Sequence, residues 1–545
     1  MVTERRDIFQ EFPAESDWDA IIIGAGPNGL MTGAYLAKAG LKVCVVERRY
    51  EVGGGLVTEE ILFPCYYSNA HVVYHLMVDY MPVIRDFNLD RHALVWIKPN
   101  AQTAMVFDDG KSLLLTHMIE DTKDSIRKYS FNDAVAFGKL MRTWEKLVNE
   151  IVVPATYVPA MPPLDLSIAL QRTEIGREML EITERSPLEI INDGFENDRV
   201  RALMLYASCM WGLDPRESGV GFFVPLLISR GMNKCYCYGG SHKFAGALVR
   251  EIVGAGGTIM DAADVTKIIM ENGHVTGVET AEGRVLRSKV VISSLDPKIT
   301  FLELVGGENL PAVLKESVEG WKYDKWSYNT LHVVTDEAPC YECDDPWVNE
   351  SFMVILGFDG TEQVLAHWDN VVAGKVGDNF GGHATCESYF DPNLSRMPGK
   401  HISFFQMHAP YEIEGGWETR GKELEEAMLA KWQKAAPNIK KENIVKMVSE
   451  SPVEIERRLN MRRGSIKHGD YSPTQLGYFR PNTECSNHKT PVEGLYMCGA
   501  STYPGGLVLG GNGYLAANRV AEDLGVTKWW KPTPEMERYI KTYLE

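Results

Sequence analysis

Residues 19–47, DAIIIGAGPNGLMTGAYLAKAGLKVCVVE, leave the chain little freedom at its start. Asp19 to Ile23 is a short β-branched run, Gly24-x-Gly26-x-x-Gly29 is a turn, and small and apolar residues then recur at helical spacing as far as Gly40. A second strand follows and closes on Glu47. Each piece has a physical role. Gly24 permits the tight strand-to-helix turn, Gly26 lets the backbone approach a pyrophosphate, and Gly29 lets the helix lie against the strand. Pro27 and Asn28 open a helix whose free N–H groups attract phosphate. Glu47, about 20 residues on, is placed to accept hydrogen bonds from an adenosine ribose. The pattern predicts a βαβ dinucleotide site and does not choose between FAD and NAD.

A second glycine loop, Gly53-Gly54-Gly55 in EVGGGLVTEE, follows directly, as in enzymes that keep FAD permanently buried. Much later, CGASTYPGGLVLGGNGYLAANRV at 498–520 carries another cluster, with Gly499, Gly505, Gly506, Gly510 and Gly511 before a helix expected from about Asn512. This second cluster reads as the far wall of the same cleft, so the two ends of the chain are expected to fold together.

At 545 residues the chain is too long for one simple core. Its formal charge of −18 repels nucleic acid and anionic lipid over the surface as a whole. No apolar run is long enough to cross a bilayer. The first 20 residues lack the apolar stretch of an export signal, so a cytoplasmic location is expected, with a peripheral membrane contact compatible with it. Ten cysteines form no paired metal spacing, so reduced thiols and no metal site are expected.

Three stretches resemble the flavin amine oxidase and phytoene desaturase superfamily, in particular its phytoene desaturase-like branch. They are ERRYEVGGGLVTEEILFPCYYSNAHVVYHL, the segment from CYCYGGSHKFAGALVREI to KVVISSLDP, and GSIKHGDYSPTQLGYFRPNTECSNHKTPVEGLYMCGASTYPGG. Independently of the resemblance, Asn272-Gly273 between alternating apolar residues signals a hairpin. The resemblance implies an α/β fold: a Rossmann-type FAD-binding domain of the glutathione reductase and amine oxidase kind, with an inserted α+β substrate-binding domain. Residues 18–110, 229–304 and 452–530 would form the first, 111–228 and 305–451 the second, and 531–545 a terminal helix or tail. It also implies FAD contacts at Glu47, Arg48, Gly54, Gly55, Leu56 and Val265 and at Gly499, Ala500, Gly505, Gly506, Gly511 and Asn512.

The activity implied is hydride transfer from a C–C or C–N bond of a largely apolar or amphipathic small molecule to FAD, with oxygen, a quinone or a soluble carrier as acceptor. A flavin-dependent isomerase, an amine oxidase or a non-enzymatic Rab escort and GDI-like carrier share the fold, and a homo-oligomer is compatible with it. Catalytic candidates are His468, beside Asp470 and Gln475; Tyr503; and His71, which shares a face with His75 if NAHVVYHL is helical. Tyr66 is a further aromatic candidate for lining the site.

Overall fold

The computed structural model describes residues 17–545. The opening segment, on which the expectation about export rests, lies largely outside the described residues. Two seven-stranded sheets organise the chain.

The first runs Val265–Glu271, His274–Thr280, Val285–Ser293, Asp17–Ile23, Val43–Val46, Thr258–Met260, with Leu495–Met497 also paired to Val285–Ser293. Asp17–Ile23 is parallel to both its neighbours, and Leu495–Met497 is parallel to Val285–Ser293. The central parallel strands, Ala20–Ile23 of the first and Val43–Val46, are continuous apolar runs because helices cover them. Helix Pro27–Lys38 lies against helix Gly511–Asp523, whose Gly513 has room for no side chain: a Cβ would stand 2.7 Å from the Asn28 carbonyl oxygen. Asn272 and Gly273, both at positive φ, make the expected tight hairpin.

The second sheet runs Ile444–Glu450, Ser327–Thr335, His401–Ala409, Gly382–Cys386, Met353–Leu356, Ala101–Val106, Ser112–Thr116. The boundary expected at residue 110 does not coincide with a change of sheet: Ala101–Val106 and Ser112–Thr116 form one antiparallel pair here. Alternation sorts the sheet into two unlike faces. Leu331, Val333, Phe405 and Met407 pack on helix Trp417–Ala435 through Met428 and Trp432. Tyr328, Thr330 and His332 point the other way, beside Phe404, Gln406 and His408.

Residues 111–228 are largely helical, with Phe131–Leu147, Glu174–Thr183 and Pro187–Gly194 among the helices, the last opened by a Ser186/Glu189 capping box. Residues 531–545 end in helix Pro534–Tyr539 and its continuation Ile540–Leu544. The segment carrying His71 and His75 is not helical. The His75 backbone instead exchanges two hydrogen bonds with Cys235, at 2.8 and 2.9 Å, which fixes it in extended pairing.

Glu387 is fully buried where the second sheet meets the hairpin Thr58–Phe63/Tyr66–Asn69. The Ser68 hydroxyl donates to it at 2.6 Å, and the Asn69 backbone N–H and side-chain amide donate at 3.0 and 2.8 Å. Burial outweighs these bonds and raises the carboxyl to about 7 from an ordinary 4.5. The folded state therefore holds this proton more tightly than the unfolded chain. The resulting stability is complete below pH 4.5 and is lost as pH rises through 7. Between pH 4.5 and 7.5, Glu387→Gln is expected to gain about 3 kcal/mol relative to wild type, read from paired urea titrations.

Candidate active site

A cavity of about 470 Å³ opens between the first sheet and the C-terminal segment. Gly24, Gly26, Pro27 and Asn28 form one end of its wall, with Glu47 and Arg48 beside them. Glu47 is buried and held from two sides, Oε2 accepting from the Ala25 N–H at 2.8 Å and Oε1 from the Arg49 N–H at 2.9 Å. Its remaining lone pairs can accept hydroxyl donors in the cavity.

Each glycine of the first turn has a different reason to be one. Gly24 sits at φ 91°, where side chains are strained, and a Cβ on Gly29 would stand 2.1 Å from the Gly24 carbonyl oxygen. Gly26 is extended, at φ −72° and ψ 174°, and a Cβ there would meet no protein atom within 4 Å. Nothing in the protein itself calls for glycine at 26, where the wall is left open for the close approach of a ligand. The second loop comes up against it, since a Cβ on Gly54 would lie 2.9 Å from the Gly26 Cα. Asn28 Oδ1, buried on the same wall, has no partner within the protein. Two phosphates and a ribose fit this donor set, so Gly26, Asn28, Glu47 and Gly54 are the residues able to hold the adenosine end of a dinucleotide.

The C-terminal glycines divide into wall and framework. Gly506 and Ala500 line the cavity, as do Gly55 and Val265. Gly499 allows contact with Ser294, whose carbonyl oxygen would be 2.3 Å from a Cβ, and Gly511 does the same toward Thr156, also at 2.3 Å. Gly505, at φ 117°, makes way for the Tyr471 hydroxyl, which accepts the Gly506 N–H at 2.5 Å. Asn512 donates to the carbonyls of Gly499 and Thr502 at 3.0 and 2.9 Å and so staples the loop from behind. Leu56 is buried in the apolar core beneath the second loop and is not on the wall.

Of the catalytic candidates, His468 reaches this cavity. Its Nδ1 is buried without a partner, and burial lowers its pKa to about 4, so the ring is neutral near pH 7. Tyr503 lines neither this cavity nor the next, because its hydroxyl is tied to the Ala155 carbonyl at 2.6 Å. Tyr66 also stands outside both, in the hairpin beside Phe63.

A second cavity, of about 90 Å³, shares Gly55, Val72, Met461, Ile466, Leu507 and Val508 with the first. Leu507 and Val508 are consecutive residues at φ 71° and 52°, a conformation that is costly for side-chain-bearing residues and most of all for a β-branched one. His71 lines this second cavity, with its pKa lowered to about 3 chiefly by burial. His75 does not: it is packed between Trp96 and Phe244 and lies 3.3 Å from the Ser241 hydroxyl.

Two buried cations that sequence reasoning missed hold this region. Lys467 Nζ contacts Asp324 Oδ1 at 2.8 Å and the carbonyls of Trp211 and Gly212 at 3.2 Å. Arg480 donates to the carbonyls of Lys467, Asp470, Gln475 and Ala500, joining the 467–475 loop to the wall of the first cavity. A lone lysine and a lone arginine in loop sequence look solvated, and no local pattern marks either as buried. A further ionic chain, Arg49–Glu59–Arg458–Glu450, links the first cavity's wall to the second sheet. Among the described residues no His, Cys, Asp and Glu cluster suits a metal ion, and no helix is long and apolar enough to cross a membrane.

The Thi4 family model matches residues 3–74, the stretch that contains the βαβ turn. Over 535 residues the chain is 36% identical to one of the polypeptides of the limonene dehydrogenase of Castellaniella defragrans, spanning 95% of this chain and 97% of that protein. It is 21% identical over 510 residues to the neurosporene-forming phytoene desaturase of Cereibacter sphaeroides, spanning 91% and 93%. Among solved structures, a triple mutant of putrescine oxidase matches with a TM-score of 0.61 at 13% identity, covering 94% of this chain and all of that one. That last likeness is one of fold.

Proposed function

The chain belongs to the phytoene desaturase-like FAD-dependent oxidoreductases, and from that membership we propose that the larger cavity binds FAD and the smaller one a largely apolar substrate, dehydrogenated at a C–C bond. Bound FAD would supply the two-electron acceptor for one hydride, the second hydrogen leaving the substrate as a proton. The observation that carries the reading is the shared wall of the two cavities, Gly55, Val72 and Met461 among it, which sets the proposed cofactor and substrate sites one residue layer apart at most.

His71 and His468 stand on either side of that wall. Both are neutral near pH 7 and weakly basic. Such an imidazole takes a proton only from a strongly acidic C–H, such as one beside a carbon that has already lost a hydride. A strong base is therefore not required. Among the described residues no Asp or Glu lines the smaller cavity, so a protonated amine would find no counter-ion, which favours C–C over C–N donors. Limonene and phytoene, which appear in the names of the two relatives, support a terpenoid as the substrate class.

Anaerobic mixing with cyclic terpenes, polyenes, ketones and amines tests this through loss of the oxidised flavin absorbance. Bleaching by a terpenoid and not by amines is expected, and admitting oxygen, a quinone or a soluble carrier identifies the acceptor. A protein that purifies colourless and releases no FAD on denaturation would overturn the reading. Glu47→Ala is expected to weaken FAD binding by about 1.5–3 kcal/mol for each ribose hydrogen bond lost, measured as FAD released on dialysis.

A further inference from the structure

Resting on that reading of the smaller cavity, we infer that its substrate is uncharged and carries one oxygen function, a hydroxyl or a carbonyl, at the end that meets the second sheet. The sheet supplies the recognition. Thr330, Gln406 and His383 are direct cross-strand neighbours on three adjacent strands, so their side chains form a polar row on one face. All three line the cavity. The Gln406 amide donates to Thr330 Oγ1 at 2.8 Å, and His383 Nδ1 lies 2.9 Å from the Tyr206 hydroxyl, which fixes both ends of the row. Gln406 itself is partly exposed although its strand is flanked on both sides, and the cavity is what it faces.

Apart from His71 and Lys467, the rest of the lining is apolar and aromatic, including Tyr74, Trp211 and Phe404. A polar row that served only the fold would be closed off by its own neighbours, and one that faces a ligand keeps an open position. His71, also on the wall, has a buried Nε2 with no partner in the protein.

Charge narrows the ligand further. Lys467 is the one cation lining this cavity among the described residues, and its ammonium is already engaged by Asp324 and two carbonyls, so it offers nothing to a carboxylate. His71 and His383 are held neutral by burial. Among the described residues no carboxylate lines the cavity to receive a cation. A neutral oxygen on an otherwise hydrocarbon skeleton satisfies the site; a bare hydrocarbon leaves the partly exposed Gln406 with its protein neighbours alone and His71 Nε2 with no partner.

The test is an anaerobic titration of the oxidised holoenzyme, followed by perturbation of the flavin absorbance bands. The ligands are a cyclic monoterpene hydrocarbon, the same skeleton with one hydroxyl, and the same skeleton with a carboxylate. The alcohol is expected to bind about tenfold tighter than either of the others, the worth of one hydrogen bond made in a dry site. Gln406→Leu and Thr330→Val, each with full flavin occupancy as evidence of folding, should bring the alcohol-to-hydrocarbon ratio toward one. Equal affinities in wild type, a preference for the carboxylate, or a ratio that survives both substitutions would overturn the inference while leaving the dehydrogenase reading intact. A protein without flavin would remove both.

Discussion

Gly26→Val is expected to yield a protein that folds, melts close to the wild-type apoprotein, and carries no FAD. The residue's backbone lies where any side chain is comfortable, and the new Cβ would have no protein neighbour within 4 Å. The folded chain therefore loses little. The added methyls project into the 470 Å³ cavity at the start of helix Pro27–Lys38, where phosphates must come within hydrogen-bond distance of the backbone. A displacement of the phosphates there should weaken binding by at least about a hundredfold, or about 2.7 kcal/mol. Two measurements check it: the ratio of absorbance near 450 nm to that at 280 nm in the purified protein, about zero by this account, and the melting temperature against wild type stripped of flavin. Full flavin content, or a collapse of the apoprotein's melting temperature, would each show that Gly26 serves the fold and not the ligand. Gly29→Val is the contrasting control, because its Cβ would strike the Gly24 carbonyl and should damage the fold itself.

Asp324→Asn is expected to destabilise the whole protein by about 3–5 kcal/mol. Lys467 is wholly buried, and burial already works against its charge. Asp324 is the anion it contacts, and Asp324 also accepts from the Ser465 hydroxyl and the Trp326 indole. Removing the negative charge leaves an ammonium in a dry site with only carbonyl oxygens around it. Urea unfolding curves at constant slope would read the loss. The paired change Asp324→Leu with Lys467→Met should recover most of it, since replacing a buried pair by apolar groups of similar volume is often neutral or better. Failure of the pair to recover would mean that the ammonium and carboxylate have hydrogen-bonded roles that shape alone cannot replace.

What the sequence revealed follows from how local each signal is. The turn at Gly24 to Gly29, Glu47 and the Asn272-Gly273 hairpin depend on residues within one or two elements, and each was legible. Joining the 498–520 glycines to the N-terminal turn required only that both be read as walls of one cleft. His71 and His75 misled because a spacing of four is helical by count, whereas the backbone of His75 had a partner 160 residues away in Cys235. The polar row was out of reach altogether. Thr330, Gln406 and His383 alternate with apolar residues in three separate strands, and such a pattern in sequence is the ordinary mark of a face turned to water. Only the register of the assembled sheet shows that this face is enclosed. Lys467 and Asp324 were hidden for the same reason, each meaningful only against the other.

Leu495–Met497 completes the sheet that Asp17–Ile23 begins, and Thr32 donates a hydrogen bond to Gly513 across 481 residues of chain. On a ribosome, the turn at Gly24 to Gly29 emerges long before the segment around Gly513 is made, so the cleft beside it gains its second wall late. Until then the face of helix Pro27–Lys38 that meets Gly511–Asp523 has no permanent cover, a state that invites aggregation and chaperone capture. On the proposed function, FAD would be loaded after synthesis. In pulse-labelled cells, chains arrested at any length short of about residue 510 should be protease-sensitive, and flavin supply should govern the yield of soluble protein rather than the rate at which it is made.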